Sequence, residues 1–307
     1  MNNLINDFFQ QQLVEWDLAG KNYRGLQKAL KRYIQLSDHV RVGVQFNPER
    51  IYSSAAKVDE KSIKERKCFL CRHHLPEQQR WIEYMDKYLV LVNPFPIFPR
   101  HLTIPDKVHT DQRLSGRFRD MLTLARELDG FIVFYNGPKC GASAPDHFHF
   151  QAGNKGFMPL EDDFEHLPKS LMGNDGGLNK WRMDNYFRTC MVLESQDQEK
   201  LAGYLEDLLL RMKTIDAQDP EPMLNVLVSW KHDQWRVFVF PRKKHRPAQY
   251  YLEGDQRILM SPASVDLGGM LITPREEDFH KMDANSIKGI FEQVCYDEKL
   301  FYQTIAE

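Results

Sequence analysis

The sequence predicts an α+β fold in which an antiparallel sheet with flanking helices is built twice, the second copy being degenerate. Three observations carry this expectation. Strand patterns at Tyr88–Val92 and His101–Ile104 precede a helical stretch from about Asp111 to Leu128, and Phe131–Tyr135 and His147-Phe148-His149-Phe150-Gln151 follow it as strands. The order helix, strand, strand then returns, with a helix near 197–213, a strand at Leu224–Trp230, a turn at His232-Asp233-Gln234 and a strand at Trp235–Phe240. Where the first copy presents His147 and His149, the second presents Arg236, Phe238 and Phe240.

The remaining elements follow in order. Residues 4–35 carry apolar residues at helical spacing, broken near Gly20, and read as two helices. Arg41–Phe46 alternates with period two before Asn47-Pro48 and reads as a strand ending in a turn; the polar stretch Ala56–Lys67 reads as a connector. Pro94, Pro96 and Pro99 enforce a stiff, extended crossing. Residues 153–180, rich in Gly, Pro, Asp and Asn, read as a long loop or lid. Gly268–Pro274 echoes Leu102–Pro105 but follows the strand pair instead of preceding it. The expected division is residues 1–60 as N-terminal helices and strand packing on the core, 61–160 as the catalytic half, 161–195 as a connecting loop and 196–307 as the degenerate half.

A chain of 307 residues buries roughly three quarters of its unfolded surface, so a substantial core is available. The net charge of −2 provides no global attraction to nucleic acid or to an anionic membrane, so any anion site is local. The start has neither a basic leader nor an uninterrupted apolar core, and no stretch approaches the length of a membrane span. Five cysteines without a secretory leader point to reduced thiols or metal ligands, and the expected location is cytoplasmic.

Period two in a strand puts His147, His149 and Gln151 on one face, a row suited to phosphate chemistry. The turn-rich segment before it contains Asn136, Gly137, Gly141, Ala142 and Ser143, and its glycines let backbone N–H groups approach an anion closely. A neutral imidazole on a rigid strand attacks an α-phosphorus in line, and His149 is the expected nucleophile. Gln151 hydrogen-bonds a phosphoryl oxygen but cannot protonate a leaving group, which favours one that needs no proton. Cys68-Phe69-Leu70-Cys71 has zinc-knuckle spacing; His101 and His147 are candidates for the other two ligands, His73 and His74 are local alternatives, and a redox pair or two buried thiols is the reading without metal. Such a metal is structural, fixing the strand while leaving His149 free. The basic run Pro241–Pro247 is either a solvated face or a phosphate-capturing element.

These residues resemble the histidine-triad superfamily, in the branch with Gln at the third position that holds galactose-1-phosphate uridylyltransferase, diadenosine tetraphosphate phosphorylase and GDP-L-galactose phosphorylase. The stretches that carry the resemblance are Asn136-Gly137, Gly141-Ala142-Ser143 and His147-Phe148-His149-Phe150-Gln151, with a weaker one at Pro99–Pro105 and, in the second half, Ser261-Pro262-Ala263 and Gly268–Ile272. The resemblance implies a histidine-triad-like sheet, nucleotidylation of His149, phosphate contacts from Gln151 and Ser143 with Asn136 beside them, and zinc on Cys68, Cys71, His101 and His147. Two departures stand out. Asp146 lengthens the loop by one residue before His147, and Arg236–Val239 lacks a histidine pair for a second metal.

The expected function is therefore a nucleotidyltransferase or phosphorylase working through a nucleotidyl-histidine. It would cleave a nucleotide sugar or dinucleoside polyphosphate, with inorganic phosphate or a sugar phosphate as acceptor. A hydrolase of the same superfamily and a non-catalytic, zinc-stabilised nucleotide-binding protein are the alternatives. No nucleic-acid or membrane partner is expected, and the chain is a monomer or homodimer, since the duplicated half replaces the partner that single-copy relatives obtain by dimerising.

Overall fold

The apolar spacing near the start produces two helices, α1 (Asn2–Glu15) and α2 (Asp17–Leu26), but the break falls at Trp16, whose φ of −118° and ψ of 97° are extended. Gly20 instead marks a close approach, because a Cβ there would lie 2.4 Å from the Leu13 carbonyl oxygen. Leu30 and Ile34, expected in the second helix, lie in β1 (Leu30–Gln35), which pairs antiparallel with β2 (Arg41–Phe46). The structure is a computed structural model that describes residues 1–51, 59–215 and 221–306. Part of the expected connector Ala56–Lys67 lies outside the described residues. Its described part contains a short helix, α3 (Glu60–Glu65), capped by the Asp59 carboxylate, which accepts from Ser62 N at 3.0 Å.

The first half comprises β3 (Trp81–Tyr84), β4 (Tyr88–Val92), β5 (His101–Pro105), α4 (Phe118–Glu127), β6 (Phe131–Asn136) and β7 (His149–Asn154). The second comprises α5 (Leu160–His166), β8 (Lys169–Asp175), β9 (Leu178–Met183), β10 (Met191–Ser195), α6 (Gln198–Ile215), β11 (Leu224–Lys231) and β12 (Gln234–Pro241). Residues 161–195 are thus not a connecting loop. Gly176 and Gly177, with φ of 52° and 92°, turn the β8–β9 hairpin, and β10 is a fully buried strand. All these strands join one ten-stranded sheet in the order β3-β4-β5-β7-β6-β11-β12-β10-β9-β8. The duplication is visible in that order: β4-β5-α4-β6-β7 and β9-β10-α6-β11-β12 are the same motif, meeting where β6 pairs with β11 and Asn136 faces Asn225.

The chain ends with α7 (Ser264–Leu267), β13 (Met270–Thr273), α8 (Glu276–Lys281), α9 (Ala284–Val294) and α10 (Glu298–Ala306). β13 lies parallel to β2 in a separate sheet of order β1-β2-β13. The counterpart of β5 is consequently β10, and the echo between Gly268–Pro274 and Leu102–Pro105 is one of composition alone. Among the described residues no helix is long and apolar enough to cross a membrane.

Alternation sets what each face of the large sheet buries. Phe148, Phe150, Val133, Tyr135, Val226 and Val237 pack against Leu122, Leu205 and Phe301 on one side. Phe134, Leu227 and Phe238 pack against Val44, Met270 and Phe291 on the other. Burying Phe148 and Phe150 stabilises by roughly 2 kcal/mol each. It also fixes the register, since a slip of one residue would exchange phenylalanine for histidine on both faces. His149 and Gln151 accordingly stand on the face opposite the phenylalanines.

Candidate active site

His149 opens β7 and is buried, with its backbone held at both ends by one side chain. Gln112 Oε1 accepts from His149 N at 2.8 Å, while its Nε2 donates to His149 O and Asn136 O at 3.0 Å each, clamping the end of β6 to the start of β7. The imidazole is oriented by its own strand: Nδ1–H donates to the His147 carbonyl at 2.8 Å, so the lone pair lies on Nε2. His149 lines the cavity. Burial pushes its pKa down to about 4 against the opposing hydrogen bond to the His147 carbonyl, so the ring is neutral at pH 7.

Two carboxamides flank it, and in each the oxygen is already engaged. Ile97 N donates to His101 Nδ1 at 3.2 Å, so His101 Nε2 carries the hydrogen and donates to Gln151 Oε1 at 2.9 Å. Burial, then Arg50, pushes His101 down to about 3, keeping it neutral. Asn136 Oδ1 accepts three bonds, from Ser264 N at 2.9 Å, Ser264 Oγ at 2.7 Å and Asn225 Nδ2 at 2.8 Å. With both oxygens taken, the two NH₂ groups remain as donors, the polarity a phosphoryl group requires.

The cavity has a volume of about 410 Å³, and its wall brings together Asn136, Gly141, Ala142, Ser143, His149 and Gln151. Gly141 has a φ of 97°, and a Cβ there would lie 2.6 Å from the Ala263 Cβ, so the loop needs glycine on both counts. Gly137 and His147 are not on this wall. Gly137 N donates to Leu224 O at 3.2 Å, and a Cβ would sit 2.9 Å from that oxygen, so this glycine serves the β6–β11 seam. The chain elsewhere supplies Arg50, Trp16, Phe69, His245, Arg246 and Asp266 to the wall. Of the N-terminal polar residues, Arg50 reaches the cavity, whereas Asn47 Nδ2 donates to Pro96 O at 2.9 Å and Arg41 lies over the Tyr33 ring.

Two clusters among the described residues could hold a metal: Cys71 with His73 and His74, the local alternative, and a four-residue set that differs from the expected one by a single residue. Cys68, Cys71, His109 and His147 place their ligand atoms within 4.8 Å of one another, close enough to bind a metal ion. Cys68 Sγ is 3.2 Å from His147 Nδ1, and Cys71 Sγ is 3.2 Å from His109 Nδ1. His101 is not among them: both its nitrogens are committed, to Ile97 N and to Gln151, on the cavity side of the sheet. Two thiols and two imidazole nitrogens are the donor set of tetrahedral zinc, and the outer contacts fit as well. His147 Nε2 donates to Asp106 O at 2.8 Å, which leaves Nδ1 for the metal, and His109 Nε2 lies 3.7 Å from Asp146. Asp146, the additional residue of the loop, also forms an ion pair with Arg66, so the insertion has a place in this arrangement.

Sequence reasoning missed Gln112, Asn225 and His109. Gln112 lay in the stretch expected to be helix, but Gly116, with a φ of 76°, delays α4 until Phe118. Asn225 looked like a strand residue. It becomes informative only once β11 is known to pair with β6, where it also donates to Cys140 O at 2.9 Å and accepts from Arg242 NH1 at 2.6 Å. The signal for His109 was its place just past His101-Leu102-Thr103-Ile104-Pro105, at the mouth of the strand pair that carries His147.

Comparisons with known proteins bear on the fold that carries these residues. Residues 8–154 match the family described as Domain of unknown function (DUF4922), and residues 164–307 match the GDPGP1-like C-terminal domain. The crystal structure of yeast Ap4A phosphorylase Apa2 is similar with a TM-score of 0.63 at 17% identity, over 91% of this chain and 96% of that one. Its complex with Ap4A has a TM-score of 0.60 at 17% identity, over 92% of this chain and 97% of that one. Its complex with AMP has a TM-score of 0.59 at 19% identity, over 92% and 96%. No curated protein matches the chain. At such identities the likeness is one of fold, and it is the duplicated α+β fold expected from the sequence.

Proposed function

We propose that this chain, which has the fold of the Gln-containing branch of the histidine-triad superfamily, is a phosphorylase-type nucleotidyltransferase working through a nucleotidyl-His149 intermediate. One observation supports the reading above all: the neutral His149 ring has Nδ1 tied to the His147 carbonyl and Nε2 left as nucleophile in a cavity walled by Asn136, Ser143 and Gln151. Nε2 attacks the α-phosphorus of a nucleotide sugar or dinucleoside polyphosphate and the phosphoanhydride bond breaks, releasing a phosphate-terminated leaving group that needs no proton. Inorganic phosphate or a sugar phosphate then opens the P–N bond. The amide NH₂ groups of Asn136 and Gln151 and the Ser143 hydroxyl hold the phosphoryl oxygens through both steps.

Cys68, Cys71, His109 and His147 would hold a zinc ion, which would supply rigidity by fixing the ring of His147, whose carbonyl orients His149. His101, Gln112 and Asn225 are positioning residues for Gln151, His149 and Asn136.

The test is product analysis with nucleotide sugars and dinucleoside polyphosphates in the presence and absence of inorganic phosphate. A nucleoside diphosphate formed only with phosphate present is the expected result. A nucleoside monophosphate released at the same rate without phosphate would identify a hydrolase instead, and binding without any product would leave a nucleotide-binding protein.

A further inference from the structure

We propose that Arg246, held by Ser261 and His245, forms a phosphate subsite on the second-half wall of the cavity, occupied by the terminal phosphate of the leaving group in the first half-reaction and by the acceptor phosphate in the second. This rests on the His149 reading above, and it assigns the acceptor a location that neither the histidine row nor its loop provides.

Arg246, His245 and Ser261 all line the cavity that contains His149. Arg246 Nε donates to Ser261 Oγ at 3.2 Å, and Ser261 Oγ in turn lies 3.3 Å from His245 Nε2. The guanidinium stacks over the Tyr250 ring at 4.1 Å, which fixes its plane. Among the described residues no carboxylate forms an ion pair with Arg246, and its two terminal nitrogens make no hydrogen bond. Asp266, the carboxylate on the same wall, accepts from Ile272 N at 3.0 Å and Ala263 N at 2.8 Å and is drawn toward Arg50. A planar cation with two open N–H edges matches phosphate geometry. The neutral imidazole beside it, held neutral by burial and the nearby arginines, adds no competing charge.

The position also fits. Ser261-Pro262-Ala263 is the segment against which Gly141 packs, so the subsite adjoins the loop that faces His149. Arg242 NH1 donates to Pro262 O at 2.9 Å and anchors the segment from behind. The basic run is thereby divided: Arg242 is a buried strut, Lys243 and Lys244 are exposed, and His245 and Arg246 face the cavity. In the transfer step an oxygen of the acceptor dianion forms the new P–O bond as the P–Nε2 bond breaks, and the electron pair returns to Nε2. The acceptor brings its own protons and no acid is needed, in keeping with Gln151 at the third position of the row.

The experiment uses the full chain as wild type, Arg246→Ala and Arg246→Lys. Each is loaded with a dinucleoside polyphosphate or nucleotide sugar, freed of donor, and chased with graded inorganic phosphate. The expected result is a roughly 10- to 100-fold rise in the phosphate concentration needed for half-maximal discharge in Arg246→Ala, the size expected for a lost charge-assisted pair, with Arg246→Lys in between. The share of adduct lost to water should rise accordingly. An unchanged phosphate dependence in a loaded Arg246→Ala overturns the subsite. If wild type never loads, the His149 reading has failed, and calorimetric titration with inorganic phosphate decides the subsite by itself. Binding lost in Arg246→Ala upholds it, and equal binding in both overturns it.

Discussion

Two hairpins lie side by side at the centre of the large sheet, β6–β7 and β11–β12, and they close differently. The first spans residues 137–148 between its strands, whereas the second turns on His232 and Asp233 with φ of 51° and 56°. The long loop supplies Gly141, Ala142, Ser143 and His147, and the strand after it supplies His149 and Gln151. The short one leaves no room for an anion-binding loop, and the strand after it carries Arg236, buried and bonded to Glu194 at 2.9 Å and Glu165 at 3.0 Å. One half thus carries the proposed nucleophile, and the other uses the equivalent strand for ion pairs.

The second half still builds the site, but from its other end. Because β6 and β11 run antiparallel, the start of β11 and the exit of β12 lie beside Asn136, and the segment that follows brings His245, Arg246, Ser261 and Asp266 to the cavity. The degenerate copy therefore acts as a wall and a brace, with Arg242 and Asn225 reaching Asn136 across the seam.

His149→Ala is expected to reduce turnover by about 10⁴-fold or more while the protein stays folded. Turnover retained at wild-type level would move the chemistry elsewhere. Next in size is the metal set. Elemental analysis should find about one zinc per chain, with affinity reduced by roughly 100-fold or more in His109→Ala but retained in His101→Ala. The opposite pattern would restore His101 as the ligand.

Across the seam, Asn225→Ala should lower kcat/KM by about 10- to 100-fold, since one oriented amide is worth roughly 1–3 kcal/mol. An effect on melting temperature alone would make Asn225 merely structural. Stability should also fall on acidification. His101 is about 3 in the folded chain against an ordinary 6.5, so below pH 6.5 the unfolded state binds a proton that the folded state refuses. Stability is full above pH 6.5, and roughly 2 kcal/mol is lost between pH 7 and 5 through this group. Denaturant titrations of wild type and His101→Gln should show a shallower slope in the variant. The smallest effect is expected in the degenerate half, where the double change Arg236→Met with Glu194→Leu should leave labelling of His149 intact and alter stability by about 1–3 kcal/mol in either direction.

The histidine strand and its loop were legible because their signal is local: period two places the phenylalanines and histidines on opposite faces, and glycine marks the turn. Cys68 and Cys71 were legible for the same reason. Residues 161–195 were not, since the Gly, Asp and Asn that suggest a loop are also what tight hairpins use, as at Gly176 and Gly177. His101 was assigned to the wrong partner because strand position does not reveal which side of a sheet a ring serves. Gln112 and Asn225 make their contacts between distant segments, and no spacing in the chain announces those, whereas the basic run Pro241–Pro247 left open which of its residues faces the cavity.

Covalent chemistry is expected in the first half alone, although the second half places His245 in the same cavity. Loading wild type with a nucleotide sugar or dinucleoside polyphosphate, quenching at mildly alkaline pH and mapping the adduct by tandem mass spectrometry tests it directly. The expected result is a nucleotidyl group on His149. An adduct on His245, or on any residue other than His149, would place the chemistry elsewhere.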